Sequence, residues 1–175
     1  MHEQVSTSPQ LAEHTIELLA DMIRTTLFMS EQETVLLSEE LKLVTNYLEI
    51  QKLRYEQQLV YKLNISPELN AIRIPPFIIQ PIVENSIKHA VDQQLEPVCI
   101  EINVSQNNQL VFIDVNDDGP GLTLQNRSGL GLATQNIKDR LSIVYAGDAN
   151  FFIKNRKPKG VQTRVELPIV YGKTQ

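Results

Sequence analysis

Four polar residues with chemically useful side chains lie close together in the apolar stretch Gln80–Val91, which reads QPIVENSIKHAV. On a helix, Lys88 and His89 share a face with Asn85, and Glu84 directly precedes that asparagine. An amide oxygen, a cation and an imidazole beside a carboxylate are groups that can hold a metal ion and phosphate oxygens. Taken alone, however, four polar residues favour a solvated helix face, so the interpretation depends on the rest of the chain.

Two glycine clusters follow this stretch, DDGPG at residues 117–121 and GLGL at residues 129–132. The first comes directly after an apolar run, where glycines allow close approach of the backbone to a ligand. The second opens a predicted helix, where exposed N–H groups and the helix dipole attract phosphate. A carboxylate at a strand end, such as that of Asp117, can accept a hydrogen bond from an exocyclic amine like that of adenine. Each cluster alone is also an ordinary turn or helix entry.

Length and composition indicate a soluble globular protein of one domain, or one domain with a short extension. The chain has 175 residues, of which 42% are hydrophobic and 21% charged. A net charge of -5 and scattered basic residues argue against a nucleic-acid-binding surface. The single cysteine, Cys99, excludes an internal disulfide and a cysteine metal cluster. No apolar run approaches the roughly 18 residues of a spanning helix, and no signal peptide is recognisable.

The hydrophobic pattern predicts the elements that would position these motifs. Apolar residues at three- and four-residue steps predict one helix from Leu11 to Phe28 and another from Ser38 to Glu56. Further helices are predicted at Phe77–Val91 and Leu130–Tyr145, and strands at Leu59–Ile65, Val98–Val104, Leu110–Val115, Asn150–Asn155 and Val161–Leu167, with a loop at Asn116–Ser128. This order predicts an α+β fold in which helices are layered against a mixed five-strand sheet.

The joint order of the motifs is more specific than any one of them. ENxxKHA on a helix is followed by DxGxG after a strand and then by GxGL opening a helix. This order resembles the N, G1 and G2 boxes of the GHKL ATPase superfamily, which includes gyrase, Hsp90, histidine kinases and MutL. The resemblance implies their two-layer α/β sandwich, the Bergerat fold.

Other stretches narrow the resemblance to the LytS-type sensor histidine kinases. LKLVTNYLEIQKLRY at residues 41–55 resembles the segment before the ATPase domain of those kinases, and IPPFIIQPIVENSIKHA, NIKDRL and GVQTRVELP are also similar to that family. The resemblance covers the chain from about Leu18 to Pro168. It implies a helical segment over residues 1–56, comprising the second half of a dimerisation hairpin and a connecting helix, and a GHKL ATP-binding catalytic domain over residues 57–175.

The resemblance also implies a role for each matching residue. Asn85 would bind Mg²⁺ through its amide oxygen, and Glu84 would polarise a nucleophile or a water molecule. Asp117 would accept the adenine amine. The remaining expectations are that Lys88 and His89 lie near the phosphates, Gly119 and Gly121 bend the loop around the base, Gly129, Gly131 and Leu132 contribute to the lid at the phosphates, and Thr163 lies behind the adenine site.

Two features depart from the family's pattern. No PHFLFN-like motif with a phosphoacceptor histidine is present, so the resemblance places that histidine upstream of residue 1; the surroundings of His14 and His2 do not match the motif. In addition, Ala133–Gln135 adds residues between GLGL and NIKDRL, whereas the lid at Leu122–Ser128 is short.

The leading hypothesis is the ATP-binding catalytic domain of a two-component sensor histidine kinase, which uses ATP and Mg²⁺ to phosphorylate the upstream histidine. One alternative is an ATP-binding switch or slow ATPase of the GHKL class, and another is a degenerate dimerising module without phosphotransfer. The implied partners are a response regulator, reached through the full-length kinase, and a second copy in a homodimer, but no nucleic acid. A cytoplasmic location is expected, with membrane contact only through upstream regions outside this chain.

Overall fold

A mixed sheet and the helices on one of its faces make up most of the computed structural model, which describes residues 9–122 and 131–169. In chain order the elements are α1 (Pro9–Ser30), β1 (Val35–Leu36), α2 (Leu37–Tyr55), β2 (Leu59–Ile65), β3 (Arg73–Ile74), α3 (Gln80–Ser86), which continues as a π-helical turn (Ile87–Val91), β4 (Val98–Gln106), β5 (Leu110–Asp117), α4 (Gly131–Tyr145), β6 (Asn150–Asn155) and β7 (Val161–Pro168). Short 3₁₀ turns at Glu56–Gln58 and Pro67–Ala71 flank β2.

The main sheet has five strands in the order β2-β4-β5-β7-β6. β2 pairs with β4 in parallel and the other neighbours are antiparallel, so the predicted mixed five-strand sheet and α+β fold are confirmed. Alternate residues of β4 and β5, among them Ile100 and Ile113, are completely buried beneath the helices. The opposite face carries polar pairs, of which Arg164 and Asp114 form a bidentate pair with both N–O distances 2.8 Å.

The two long helices differ in how they pack. α2 contributes Leu43, Val44 and Leu48 to the core, each 0% exposed. α1 packs against α2, yet its side chains Ile16 and Ile23 remain 66% and 61% exposed. Among the described helices, none combines the length and the hydropathy required to cross a membrane.

Three details of the sequence prediction were wrong. The two-residue strands β1 and β3, which pair with each other, were not predicted because so short an extended run has no detectable period. α3 begins at Gln80 rather than at Phe77, because Phe77 has a positive φ of 59° that no helix accommodates. β5 extends to Asp117, so this aspartate ends the central strand and does not lie in the following loop.

Candidate functional site

A cavity lies between α3 with its π-helical turn, α4, and the ends of the three strands β5, β6 and β7. Its polar wall consists of Asn85, Ser86, His89, Asp117, Thr134 and Thr163, and its apolar wall of Ile82, Ile137, Phe151, Ile153 and Val161; Gly121 and Leu122 complete the lining. Residues from the predicted helix, from the strand end and from the last strand therefore meet at one place, as the order of the motifs suggested.

Asp117 is the buried anchor of this cavity, with 4% of its surface exposed. Its Oδ1 accepts hydrogen bonds from the backbone N–H groups of Gly119 and Val161, both at 3.1 Å. Burial raises the pKa of the Asp117 carboxyl above its ordinary value, and the bonds from those two amides and from the Ser86 side chain oppose the shift. The carboxyl group is thus held in one orientation, in which it can accept a hydrogen bond from a ligand in the cavity.

The turn between β6 and β7 holds the backbone around Asp117. Gly160 has φ +98°, and a Cβ built on it would lie 1.9 Å from the carbonyl oxygen of Asp117. That same carbonyl accepts a hydrogen bond from Nη1 of Arg156 at 3.2 Å. On the helix side, a Cβ on Gly119 would lie 2.4 Å from Cβ of Ala90, so the loop also requires glycine there.

Two of these contacts involve residues that the sequence analysis missed. Neither Gly160 nor Arg156 was singled out, because their contacts with Asp117 join segments that are distant in sequence. Asn155 is a third such residue: its Oδ1 accepts a hydrogen bond from the Leu122 amide at 2.6 Å. This bond fixes the chain where it leaves Gly121, whose φ is +88°.

The polar residues of α3 and its π-helical turn divide into two pairs. Asn85 and His89 line the cavity. Glu84 and Lys88 are exposed and lie outside the lining set, and Oε1 of Glu84 accepts a bond from Nε2 of Gln80 at 3.0 Å. The structure does not bring Glu84 and Lys88 into the cavity wall, and their predicted roles stay predictions.

His89 has an unusual environment in the part of the chain that the structure describes. Both of its ring nitrogens are buried without a hydrogen-bond partner among those residues. Burial, together with the nearby Lys88 cation, lowers the pKa of the His89 imidazole below its ordinary value. A neutral imidazole carries one N–H donor and one acceptor, so His89 retains a donor for a ligand oxygen.

The other predicted site residues lie as follows. Thr163 lines the cavity and is 5% exposed. Gly131 and Leu132 form the first turn of α4. Gly129, and the lid at residues 122–128 apart from Leu122, lie outside the described residues.

This arrangement suits a ligand with a flat heterocycle and an anionic group. Apolar side chains can enclose the ring while Asp117 accepts from an exocyclic amine, and Asn85, His89 and the start of α4 offer polar groups for the anion. Among residues 9–122 and 131–169, no group of three or more His, Cys, Asp or Glu side chains could hold a metal. The amide oxygen of Asn85, which lines the cavity, is the kind of single oxygen ligand that Mg²⁺ accepts beside waters and phosphate oxygens.

Comparisons with known proteins point to one family. Residues 1–59 match the family model described as histidine kinase. Sensor histidine kinase YesM of Bacillus subtilis is 30% identical over 156 residues, covering 87% of this chain and 27% of that protein. Sensor protein LytS of Enterococcus faecalis is 27% identical over 149 residues, covering 79% of this chain and 25% of that protein. The chain therefore spans about a quarter of the length of each relative.

Solved structures share the fold. The histidine kinase domain of a blue-light-activated kinase from Erythrobacter litoralis superposes with a TM-score of 0.60 at 13% identity, covering 90% of this chain and 74% of that one. The catalytic domain of histidine kinase ThkA superposes with a TM-score of 0.57 at 16% identity, covering 77% of this chain and 94% of that one. At these identities the likeness concerns the fold alone.

Proposed function

The chain is a homologue of the LytS-type sensor histidine kinases, and we propose that it is the ATP-binding catalytic region of such a kinase. The observation that carries the proposal is the fixed carboxyl of Asp117 in the same cavity as Asn85 and His89. An acceptor of fixed orientation inside apolar walls selects a base with an amine, and the polar end of the cavity suits phosphates.

In this proposal each group acts on a defined part of Mg-ATP. Asp117 accepts from the adenine amine, with Thr163 behind the base. Asn85 supplies one oxygen ligand to Mg²⁺, and His89 donates to a phosphate oxygen. The lid group consists of Gly129, Gly131 and Leu132, whose backbone would approach the phosphates, and Lys88 would add a cation outside the cavity wall.

The proposed reaction is phosphoryl transfer to a histidine nitrogen on an upstream segment. ATP supplies the γ-phosphoryl group when bound, and the chain contributes position and electrostatic stabilisation. Glu84, exposed next to Asn85, would polarise the acceptor. The same proposal divides the chain into a helical segment over residues 1–56 and a catalytic domain over residues 57–175. It also includes dimerisation through the helical segment and a response regulator as partner of the whole kinase. ThkA has been solved in complex with the response regulator protein TrrA.

Isothermal titration with Mg-ATP tests binding, with Asp117→Asn compared against Asp118→Asn. The two aspartates are adjacent, but Oδ1 of Asp118 accepts from the Cys99 amide at 2.8 Å and Asp118 does not line the cavity. We expect Asp117→Asn to weaken binding by about 10- to 100-fold, the loss of one hydrogen bond to a charged group, and Asp118→Asn to bind within about threefold of the parent. Absence of Mg-ATP binding by the parent would refute the proposal and favour a dimerising module.

Phosphotransfer is tested by mixing the chain with a polypeptide that carries the upstream helix and its histidine. Acid-labile phosphohistidine should form with Mg-ATP and should be strongly reduced with Asp117→Asn at an ATP concentration near the parent's Kd. If Mg-ATP binds but no phosphohistidine forms, the kinase proposal is wrong and an ATP-binding switch or slow ATPase remains.

A further inference from the structure

Glu40 of α2 is a completely buried carboxylate, with 0% of its surface exposed. Its Oε1 accepts a hydrogen bond from the Ile79 amide at 2.6 Å and from the Gln80 amide at 3.4 Å, at the beginning of α3. The amides of Phe77 and Ile78 also face the carboxylate. Four successive N–H groups therefore surround an anion provided by a different helix, an arrangement known as a nest.

The backbone of this nest is held in a conformation that its sequence disfavours. Phe77 has φ +59°, a region that bulky L residues rarely adopt, and such strain persists where surrounding contacts enforce it. Arg140 of α4 donates to the carbonyl of Pro76, and its guanidinium lies 5.6 Å from the centre of the Phe77 ring. The segment before α3 is thus held by α2 on one side and by α4 on the other.

α2 also contacts the far end of the same helical unit. The hydroxyl of Tyr55 donates to Asp92, directly after the π-helical turn, and Arg54 lies 3.8 Å from the same carboxylate. Asn85 lies between these two attachments, about 9 Å along the helix from Ile79. A shift of α2 relative to the sheet would therefore carry Asn85 with it.

Stability alone does not account for the Glu40 carboxylate. Its Oε2 has no hydrogen-bond partner among residues 9–122 and 131–169. Burial raises the pKa of the Glu40 carboxyl to about 7 even though backbone amides donate to it, so the cost of burying the ionised group exceeds what these bonds return. A role in positioning the start of α3 explains why α2 carries an acid at this position.

We propose that Glu40 is a positioning residue for the nucleotide site, which fixes the start of α3 to α2 and so sets the place of Asn85 and His89 in the cavity. The inference rests on the proposed function, because its readout is Mg-ATP binding. It assigns to α2 a structural route by which a displacement of the N-terminal helices reaches the face of α3 that carries Asn85 and His89.

The test compares Glu40→Met, Glu40→Gln and the matched control Glu39→Gln. Methionine keeps the length of the side chain but removes the acceptor, whereas glutamine keeps one acceptor oxygen. Glu39 also accepts a backbone bond, from the Leu36 amide at 2.7 Å, but this bond caps the beginning of its own helix. Each protein is measured by urea unfolding near pH 8 and by isothermal titration with Mg-ATP at a temperature where it is folded.

We expect Glu40→Met to unfold at the same or a higher urea concentration than the parent. Its affinity for Mg-ATP should be about tenfold lower, because the hydrogen bond that positions the start of α3 is lost. Glu40→Gln should lie between the parent and Glu40→Met, and Glu39→Gln should bind like the parent. Parental affinity in a folded Glu40→Met overturns this inference, whereas a parent that does not bind Mg-ATP overturns the proposed function instead.

If Glu40→Met does not fold, Glu40→Gln decides the question by amide hydrogen exchange. The amides of Ile79 and Gln80 should exchange faster than in the parent, because a neutral carbonyl is a weaker acceptor than a carboxylate. Mg-ATP affinity should fall by about two- to fivefold in the same variant. Faster exchange with unchanged affinity would show that the bond stabilises the helix start without positioning the site.

Discussion

Gly160 packs against the backbone carbonyl of Asp117 so closely that a Cβ on the glycine would lie 1.9 Å from that oxygen. The contact brings the β6–β7 turn onto the end of β5 and lets the Val161 amide reach Oδ1 of the same aspartate at 3.1 Å. The orientation of the carboxyl group in the cavity therefore depends on backbone groups of the β6–β7 turn and not on a side chain.

Replacement of Gly160 by alanine should strongly destabilise the protein, because φ is +98° and the new methyl group would overlap the Asp117 carbonyl. Gly147→Ala is the matched control: Gly147 also has φ +98°, but a Cβ there meets nothing within 4 Å. Urea unfolding should show a loss of about 1 kcal/mol for Gly147→Ala, from the backbone conformation alone, and a loss of at least about 3 kcal/mol for Gly160→Ala. Equal losses would show that the close approach of Gly160 to the Asp117 carbonyl does not affect the free energy of unfolding.

Removal of the Asn85 amide should impair metal-dependent binding without impairing the fold, because Asn85 is half-buried in the cavity wall. Asn85→Ala should weaken Mg-ATP binding by about tenfold or more and should bind ATP equally with and without Mg²⁺. Asn103→Ala is the control, because Asn103 bonds to Asn64 at 2.7 Å on the polar face of the sheet. A parental Mg²⁺ dependence in Asn85→Ala would exclude this residue as a metal ligand.

Loss of the Asn155 side chain should loosen the chain after Gly121, because its Oδ1 accepts from the Leu122 amide at 2.6 Å. In Asn155→Ala the Leu122 amide should exchange faster with solvent, and Mg-ATP affinity should fall by about threefold, whereas the free energy of unfolding should change by at most about 1 kcal/mol because the bond is exposed. Asn150→Ala, at the other end of β6, should leave both the exchange rate and the affinity unchanged. Slow exchange at Leu122 in Asn155→Ala would contradict the assignment.

The elements that the sequence predicted well are those whose pattern is local. β2 and β6 have the predicted bounds, and α2 begins and ends within one residue of its predicted limits, because alternation and helical periodicity are properties of consecutive residues. The start of α3 was misplaced because Phe77 has a positive φ. The segment around it is held by residues of other helices: Arg140 lies over the Phe77 ring, and Glu40 accepts from the Ile79 amide.

The same distinction applies to the candidate site. Asn85, His89 and Asp117 could be selected from the order of the motifs and Thr163 from the family resemblance, and the structure brings all four to one cavity. Gly160, Asn155 and Arg156 could not, because each acts on a backbone group that is far away in the sequence. Sequence patterns thus identified side chains that line the cavity, but not the contacts that hold those side chains in place.

Glu40 should also give the protein a pH dependence of stability opposite to that of a salt-bridged carboxylate. Burial raises the pKa of Glu40 from 4.5 to about 7 in the folded protein. Between these values the folded state binds more protons than the unfolded state, so the free energy of unfolding falls as pH rises through the interval. Below it both states are protonated, and above it both are ionised with the full destabilisation present. The total change attributable to this group is on the order of 3 kcal/mol.

Urea unfolding of the parent and Glu40→Gln between about pH 4.5 and pH 8 measures this contribution, because the other titrating groups, including the buried Asp117, are common to both proteins. Glutamine does not ionise, so the free energy of unfolding of the parent should decline relative to that of Glu40→Gln as pH rises. Most of the decline should fall between pH 5 and pH 7, since the folded pKa lies near its upper end. Parallel curves would show that Glu40 titrates at its ordinary pKa, and the nest would then hold an ionised carboxylate without an energetic penalty.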